Sequence, residues 1–273
     1  MTGPALPDRQ AGGAWRAGGL PFSLEGKRAL VIGAGSPAGS AVARSLAEAG
    51  ANVAVAATRN EGAEVMATRR TRRAVEALGR RSAEYAFDLA LGQNVHVSTK
   101  QVKKDLGGLD AVVVVPTLPD PAPSSRVTDA DWNRWLGYTL SGAFYAFRSA
   151  ARELAGSGGG ALLAVVPVHA ERGLAQQAVA CAAMHGIVGL VRAFAIEHAA
   201  AAVRANGLGY GWLDADPAAG SNDPSNPLAR YIPARRLGEA ADLGPVAAYL
   251  CSDAADFVTG QVFWVDGAVR DHL

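Results

Sequence analysis

The chain has 273 residues, 49% of them hydrophobic, with 26 basic and 25 acidic side chains and a formal net charge of +1. Such a length suits one large core in a single α/β domain, and so balanced a charge gives no bulk field to draw the chain to nucleic acid or an anionic membrane. No apolar run reads as the ~20 residues that span a bilayer, and the two cysteines, Cys181 and Cys251, have neither metal-ligand nor redox spacing.

Residues 1–24 are rich in Gly, Ala and Pro and lack the apolar core of a signal peptide, so they are expected to be a disordered leader to one domain over 25–273. The expected compartment is the cytoplasm. From Arg28 the chain alternates apolar runs with amphipathic stretches, as βαβ units do. Arg28 to Ile32 reads as a strand and Ala38 to Ala49 as its helix. Asn52 to Ala57 is a second strand, followed by an Arg-rich helix through Leu78, and Ala83 to Phe87 is a short third strand. The β-branched run from Ala111 to Val115 suits a strand buried on both faces. One long helix is expected over Asp129 to Leu154, stopped by GSGGG, then a strand over Ala161 to Val166. A helix over Gln176 to Glu197 and a strand over Val203 to Leu208 follow, then a Pro/Asn/Asp-rich loop from Asp214 to Asn226. A helix near Glu239 to Cys251 and a strand at Gln261 to Val265 close a Rossmann-type, doubly wound parallel sheet in three layers.

Chemistry concentrates at the strand ends. Gly33, Gly35 and Gly39 lie between the first strand and first helix, where glycine lets backbone amides approach a dinucleotide pyrophosphate. Pro37 removes one amide donor from that rim. The second strand ends in Ala57-Thr58-Arg59, with no carboxylate for ribose hydroxyls, and the Arg59 fork suits the 2′-phosphate of NADP. A surface arginine is the plain alternative. Arg69, Arg70, Arg72, Arg73, Arg80 and Arg81 lack interleaved aromatics and read as a solvated face. Cys181 and His185 are four apart on one helix face, the spacing of a thiolate–imidazolium pair, although a cysteine among alanines is also an ordinary core filler.

Gln176 to Glu197 (QQAVACAAMHGIVGLVRAFAIE), with Gly189, Leu190, Arg192, Ala195 and Glu197 in place, resembles the active-site helix of the short-chain dehydrogenase/reductase family. The glycine turn, the Asp88-Leu89 pair and the segment from Arg236 to Gly267 extend that resemblance over nearly all the chain after the leader. It implies that Asp88 reaches an adenine amino group. It also places Cys181, His185, Pro167 and Thr139 where the family carries its catalytic Tyr, Lys, Ser and Asn. Ala215 stands where the family has a threonine that meets the nicotinamide carboxamide, and Tyr210-Gly211 replaces a Pro-Gly pair after the sixth strand. The expectation is therefore a catalytically degenerate pseudo-oxidoreductase with weak or vestigial NADP binding. It would be a structural or regulatory subunit of a homotetramer, or of a heteromer with an active relative, since the family's subunit surfaces are kept. Two alternatives stand beside it: a non-redox lyase, cyclase, hydrolase or isomerase using Cys181 and His185, and a divergent NADP-dependent oxidoreductase.

Overall fold

The computed structural model describes residues 22–271 except 217, 218 and 224, so most of the expected leader lies outside the described residues. Leu24 already belongs to the packed domain, 1% exposed, with its amide bonded to the Ala49 carbonyl. Seven strands form one parallel sheet: β1 Arg28–Ile32, β2 Asn52–Ala57, β3 Glu84–Ala86, β4 Ala111–Val114, β5 Gly160–Pro167, β6 Val203–Tyr210 and β7 Val262–Val265. Their order is β3-β2-β1-β4-β5-β6-β7, every neighbouring pair parallel.

Because side chains alternate across a strand, each strand feeds both faces of the sheet. Leu30 and Ile32 of β1 pack with α3 Gly92–Leu106, α5 Gly142–Ala155 and α6 Ala178–His198. Ala29 and Val31 pack with α1 Pro37–Glu48, α2 Gly62–Ala77 and α8 Gly244–Cys251. The result is the expected three-layer α/β/α domain. A small third cluster, with Val168, Ile232 and Leu237, holds the segment after β6 and its short helix α7 Pro227–Tyr231.

Three elements differ from the sequence reading. Helix α3 was not anticipated: Val95, Thr99, Val102 and Leu106 form its buried stripe, but one member is a threonine and Leu91 supplies no side-chain cap. Thr99 is accommodated by donating its hydroxyl to the Val95 carbonyl. The single long helix expected from Asp129 is two, α4 Asp129–Leu136 and α5, joined by a π-helical turn over Gly137–Ser141. Finally, α6 and its 3-10 extension form a 24-residue segment, as long as a membrane span, that holds an 18-residue stretch of mean hydropathy 1.8. Half of it is buried in the core, which accounts for its composition.

Candidate active-site crevice

In an open parallel sheet, the crevice at the strands' carboxyl ends opens where the order reverses, here between β1 and β4. Gly33 leaves β1 with φ +88°, and a Cβ there would lie 2.0 Å from the Val115 carbonyl oxygen. Gly39, inside the first turn of α1, would bring a Cβ to 2.1 Å from the Gly33 oxygen. Glycine is required at both positions by contact distance. Ser36 caps α1, accepting from the Gly39 amide at 3.1 Å and donating to the Gly33 carbonyl at 2.9 Å, with Pro37 following it. Gly35 faces α2, near the Glu64 carbonyl and the buried Thr68 hydroxyl, and Thr71 ties α2 to the Ala34 carbonyl at 2.8 Å.

A carboxylate does stand at the end of β2, though not from β2 itself. Glu64, in the first turn of α2, accepts from the Thr58 amide and from the Thr58 hydroxyl at 2.7 Å. Since that hydroxyl donates to Glu64, Thr117 donates to Thr58 across the 2.8 Å contact between their oxygens, bridging the segments after β2 and β4. Arg59 pairs with Glu61 at 3.0 Å and lies 3.5 Å from Glu64, with its guanidinium 5.6 Å from the Trp135 ring centre. That 3.5 Å contact joins Arg59 Nε to Glu64 Oε2, both buried and neither making a hydrogen bond. Arg59 is thus held by carboxylates, and is neither the free fork nor the plain surface residue that the sequence suggested. The Leu89 amide donates to the Thr58 carbonyl at 3.1 Å, and Asp88 accepts from the Ala90 amide at 3.1 Å. Arg59, Asp88 and Leu89 therefore lie together at one end of the crevice.

At the other end, Pro167 closes β5 in register with Tyr210 of β6. Thr139 is buried in the π-helical turn and donates its hydroxyl to the Trp135 carbonyl. Cys181 is half-buried and its thiol donates to the Arg172 carbonyl at 3.4 Å. His185 is exposed and uses Nδ1 on the Cys181 carbonyl at 2.9 Å. The sulfur and the imidazole therefore each bond a backbone carbonyl, and no thiol–imidazole pair forms between them.

More proton chemistry lies one step along. His169 sits in the 3-10 turn after β5, both ring nitrogens buried and unpartnered. Burial holds its pKa below the usual histidine range, and the Asp216 carboxylate opposes that shift. Burial also pushes the Tyr210 phenol up, and Asp216 pushes it further. Although its ring is only partly enclosed, Tyr210 is thereby kept protonated. Sequence reasoning missed Glu64 and Asp216, each on the element after the strand it serves; six-residue spacing from Thr58 was the only signal for Glu64.

With this geometry in place, the family can be stated: the chain belongs to the short-chain dehydrogenase/reductases. A family profile described as Enoyl-(Acyl carrier protein) reductase matches residues 33–269. Cis-4-hydroxycyclohexanecarboxylate dehydrogenase of Sinomonas cyclohexanicum is 32% identical over 88% of this chain and 94% of its own length. D-threitol dehydrogenase of Mycolicibacterium smegmatis is 29% identical over 90% and 94%. A provisionally named short-chain alcohol dehydrogenase from Sinorhizobium meliloti 1021 superposes with TM-score 0.86 at 34% identity, covering 93% of this chain and 100% of that one. The gluconate 5-dehydrogenase of Burkholderia cenocepacia J2315, solved with NADP and tartrate, gives TM-score 0.82 at 27% identity over 93% and 98%.

These relatives correct the expectation of a degenerate, non-catalytic subunit. They match across nearly their full lengths and are named as dehydrogenases, which points to an oxidoreductase. Loss of the family's particular side chains does not by itself remove the reaction, and other ionisable groups, His169 and Tyr210, gather at the ends of β5 and β6.

Proposed function

We propose that the chain is a divergent NADP-dependent oxidoreductase that interconverts a hydroxyl and a carbonyl on a small polar substrate. The observation that carries this reading is the buried ion pair of Arg59 Nε and Glu64 Oε2, 3.5 Å apart and without a hydrogen bond, beside the glycine turn and Asp88. Buried charged atoms paired only at that distance still lack hydrogen bonds, and a ligand that supplies them is favoured. A phosphorylated ribose offers both an acceptor for the guanidinium and hydroxyl donors for the carboxylate, so these residues fit the dinucleotide. Gly33, Gly35 and Gly39 would hold its diphosphate, Arg59 its 2′-phosphate, and Asp88 and Leu89 its adenine. When bound, NADP supplies or accepts the hydride.

The chain's own residues must orient the substrate and move the proton. Cys181, His185, Pro167 and Thr139 occupy the family's Tyr, Lys, Ser and Asn positions, so the divergence is in proton handling. In our reading His169 takes that duty. A neutral imidazole carries one N–H donor and one acceptor nitrogen, and burial keeps His169 neutral. Tyr210, protonated and close to the same Asp216 charge, orients the substrate oxygen by donating to it. The names of the relatives, a polyol, a hydroxy acid and a sugar-acid dehydrogenase, support a hydroxylated substrate. The exposed apolar side chains Ile196 and Phe257, 84% and 98% accessible, support a homotetramer.

The test is NADPH or NADP turnover against a panel of polyols, hydroxy acids and their carbonyl counterparts. Activity that falls in His169→Gln by about a hundredfold or more, with unchanged NADPH affinity, is the expected result. Lack of stabilisation by either nucleotide, together with no turnover, would sink the reading.

A further inference from the structure

The contacts of Arg59 are of two kinds. Two are carboxylates: Glu61, itself exposed, at 3.0 Å and Glu64 at 3.5 Å. The third is the Trp135 ring, whose centre lies 5.6 Å from the guanidinium carbon. A carboxylate neutralises a guanidinium and occupies its N–H groups, so it competes with any phosphate that would take its place. An aromatic face does neither. It attracts the cation through the ring quadrupole and leaves the charge and the N–H groups available at the guanidinium edge.

Helix α4 aims Trp135 into the crevice of its own chain. Thr139, one turn further on, is 1% exposed and donates its hydroxyl to the Trp135 carbonyl. Residues four apart share a helix face, so Trp135 stands in line with Thr139 on the side that walls the crevice. The ring is partly buried, and Arg59 lies over it there. A second cation, Arg134, is 5.4 Å from the same ring, but it is exposed and tied back to Asp131 at 2.9 Å. An arginine side chain has much rotamer freedom. Once a phosphate displaces a carboxylate, the ring is what still fixes the plane of the Arg59 guanidinium.

We infer that Trp135 is a positioning residue for the 2′-phosphate of the dinucleotide: it holds the Arg59 guanidinium with its edge open, and so sets a preference for NADP over NAD. That role rests on the oxidoreductase reading proposed above and adds to it the residue that governs cofactor choice. With carboxylates alone, Arg59 would be anchored in the empty site and released as the phosphate arrived. With the ring it is anchored in both states. A phosphate that makes two parallel bonds to a fork already in place costs less ordering. NAD, with a neutral hydroxyl at that position, gains little from the same placement.

The experiment is calorimetric titration of the full chain with NADPH and with NADH, read as the ratio of the two affinities. Trp135→Leu, which keeps an apolar side chain and removes the ring, should lower the NADPH-to-NADH ratio roughly fivefold. In an Arg59→Gln background the same change should leave the ratio where Arg59→Gln alone puts it, which a merely structural role would not give. Trp135→Phe covers the case in which the leucine variant does not fold: its ratio should fall by a smaller factor, and only while Arg59 is present. A ratio unmoved by Trp135→Leu, or moved as far without Arg59 as with it, would overturn the assignment and leave the oxidoreductase reading standing. If the unaltered chain binds neither nucleotide, that reading falls and the assignment falls with it.

Discussion

At the carboxyl end of β2, Glu64 sets the electrostatics that the sequence assigned to Arg59 alone. With Glu61 and Glu64 both on Arg59, a 2′-phosphate must displace at least one carboxylate before it gains the guanidinium. Glu64→Gln keeps an acceptor for the Thr58 amide and removes the charge. NADPH affinity should rise about tenfold, with a smaller change for NADH, in a fluorescence titration. Unchanged or weaker NADPH binding would place the 2′-phosphate elsewhere. A second residue-scale prediction concerns the floor of the sheet, where Arg28 grips Asp110 through Nε at 2.7 Å and Nη2 at 3.0 Å while its amide bonds the same carboxylate at 2.8 Å. Partial burial alone would raise the Asp110 pKa, but the Arg28 hydrogen bonds and charge outweigh it and hold the carboxyl below the usual range. The folded pKa is therefore the lower one, so this stabilisation is complete above the ordinary carboxylate range and is lost as pH falls through the depressed value. Asp110→Asn should cost about 2 kcal/mol at neutral pH in urea denaturation and should flatten the acid limb of the stability profile.

Elements differ in how much of themselves they wrote into the sequence. Strands β1, β2 and β4 were legible because their apolar β-branched runs have no competing reading, and each was placed within a residue of where it lies. Helix α3 was not, because a threonine interrupts its apolar stripe and its start carries no cap. Its packing is nonetheless that of a core helix. Val102 is fully buried, so Val102→Ala should cost about 2 kcal/mol of unfolding free energy, whereas a helix merely resting on the surface would lose far less. The glycine turn was legible as a motif, and the structure adds why it tolerates nothing larger. Gly39→Ala should lower stability and weaken NADPH binding together, since its methyl would displace the Gly33 carbonyl and open the turn against α1. The crevice itself was half legible. Arg59, Asp88 and Leu89 carried local signals, but Glu64 and Asp216 reach their partners through the fold, and no spacing rule joins Asp216 to His169 and Tyr210.

For the whole molecule, the dinucleotide reading makes a bulk prediction. NADPH at a hundred times its dissociation constant should add about 2.7 kcal/mol, or roughly 5–10 °C of melting temperature for a domain of this size. Differential scanning fluorimetry reads this directly, and a flat response across NADP, NADPH, NAD and NADH would exclude a dinucleotide enzyme of any cofactor preference. The sheet order carries a different consequence, for how the protein is made. Strand β1 lies between β2 and β4, so Arg28 finds Asn52 soon after both emerge from the ribosome, while Ala29 waits for Ala111. The strand bearing the glycine turn therefore lacks one of its two neighbours until Ala111 has been made, and over that span one flank of it is open to other nascent chains. A chaperone that shields parallel edges would matter most in that interval, well before the crevice exists to bind anything.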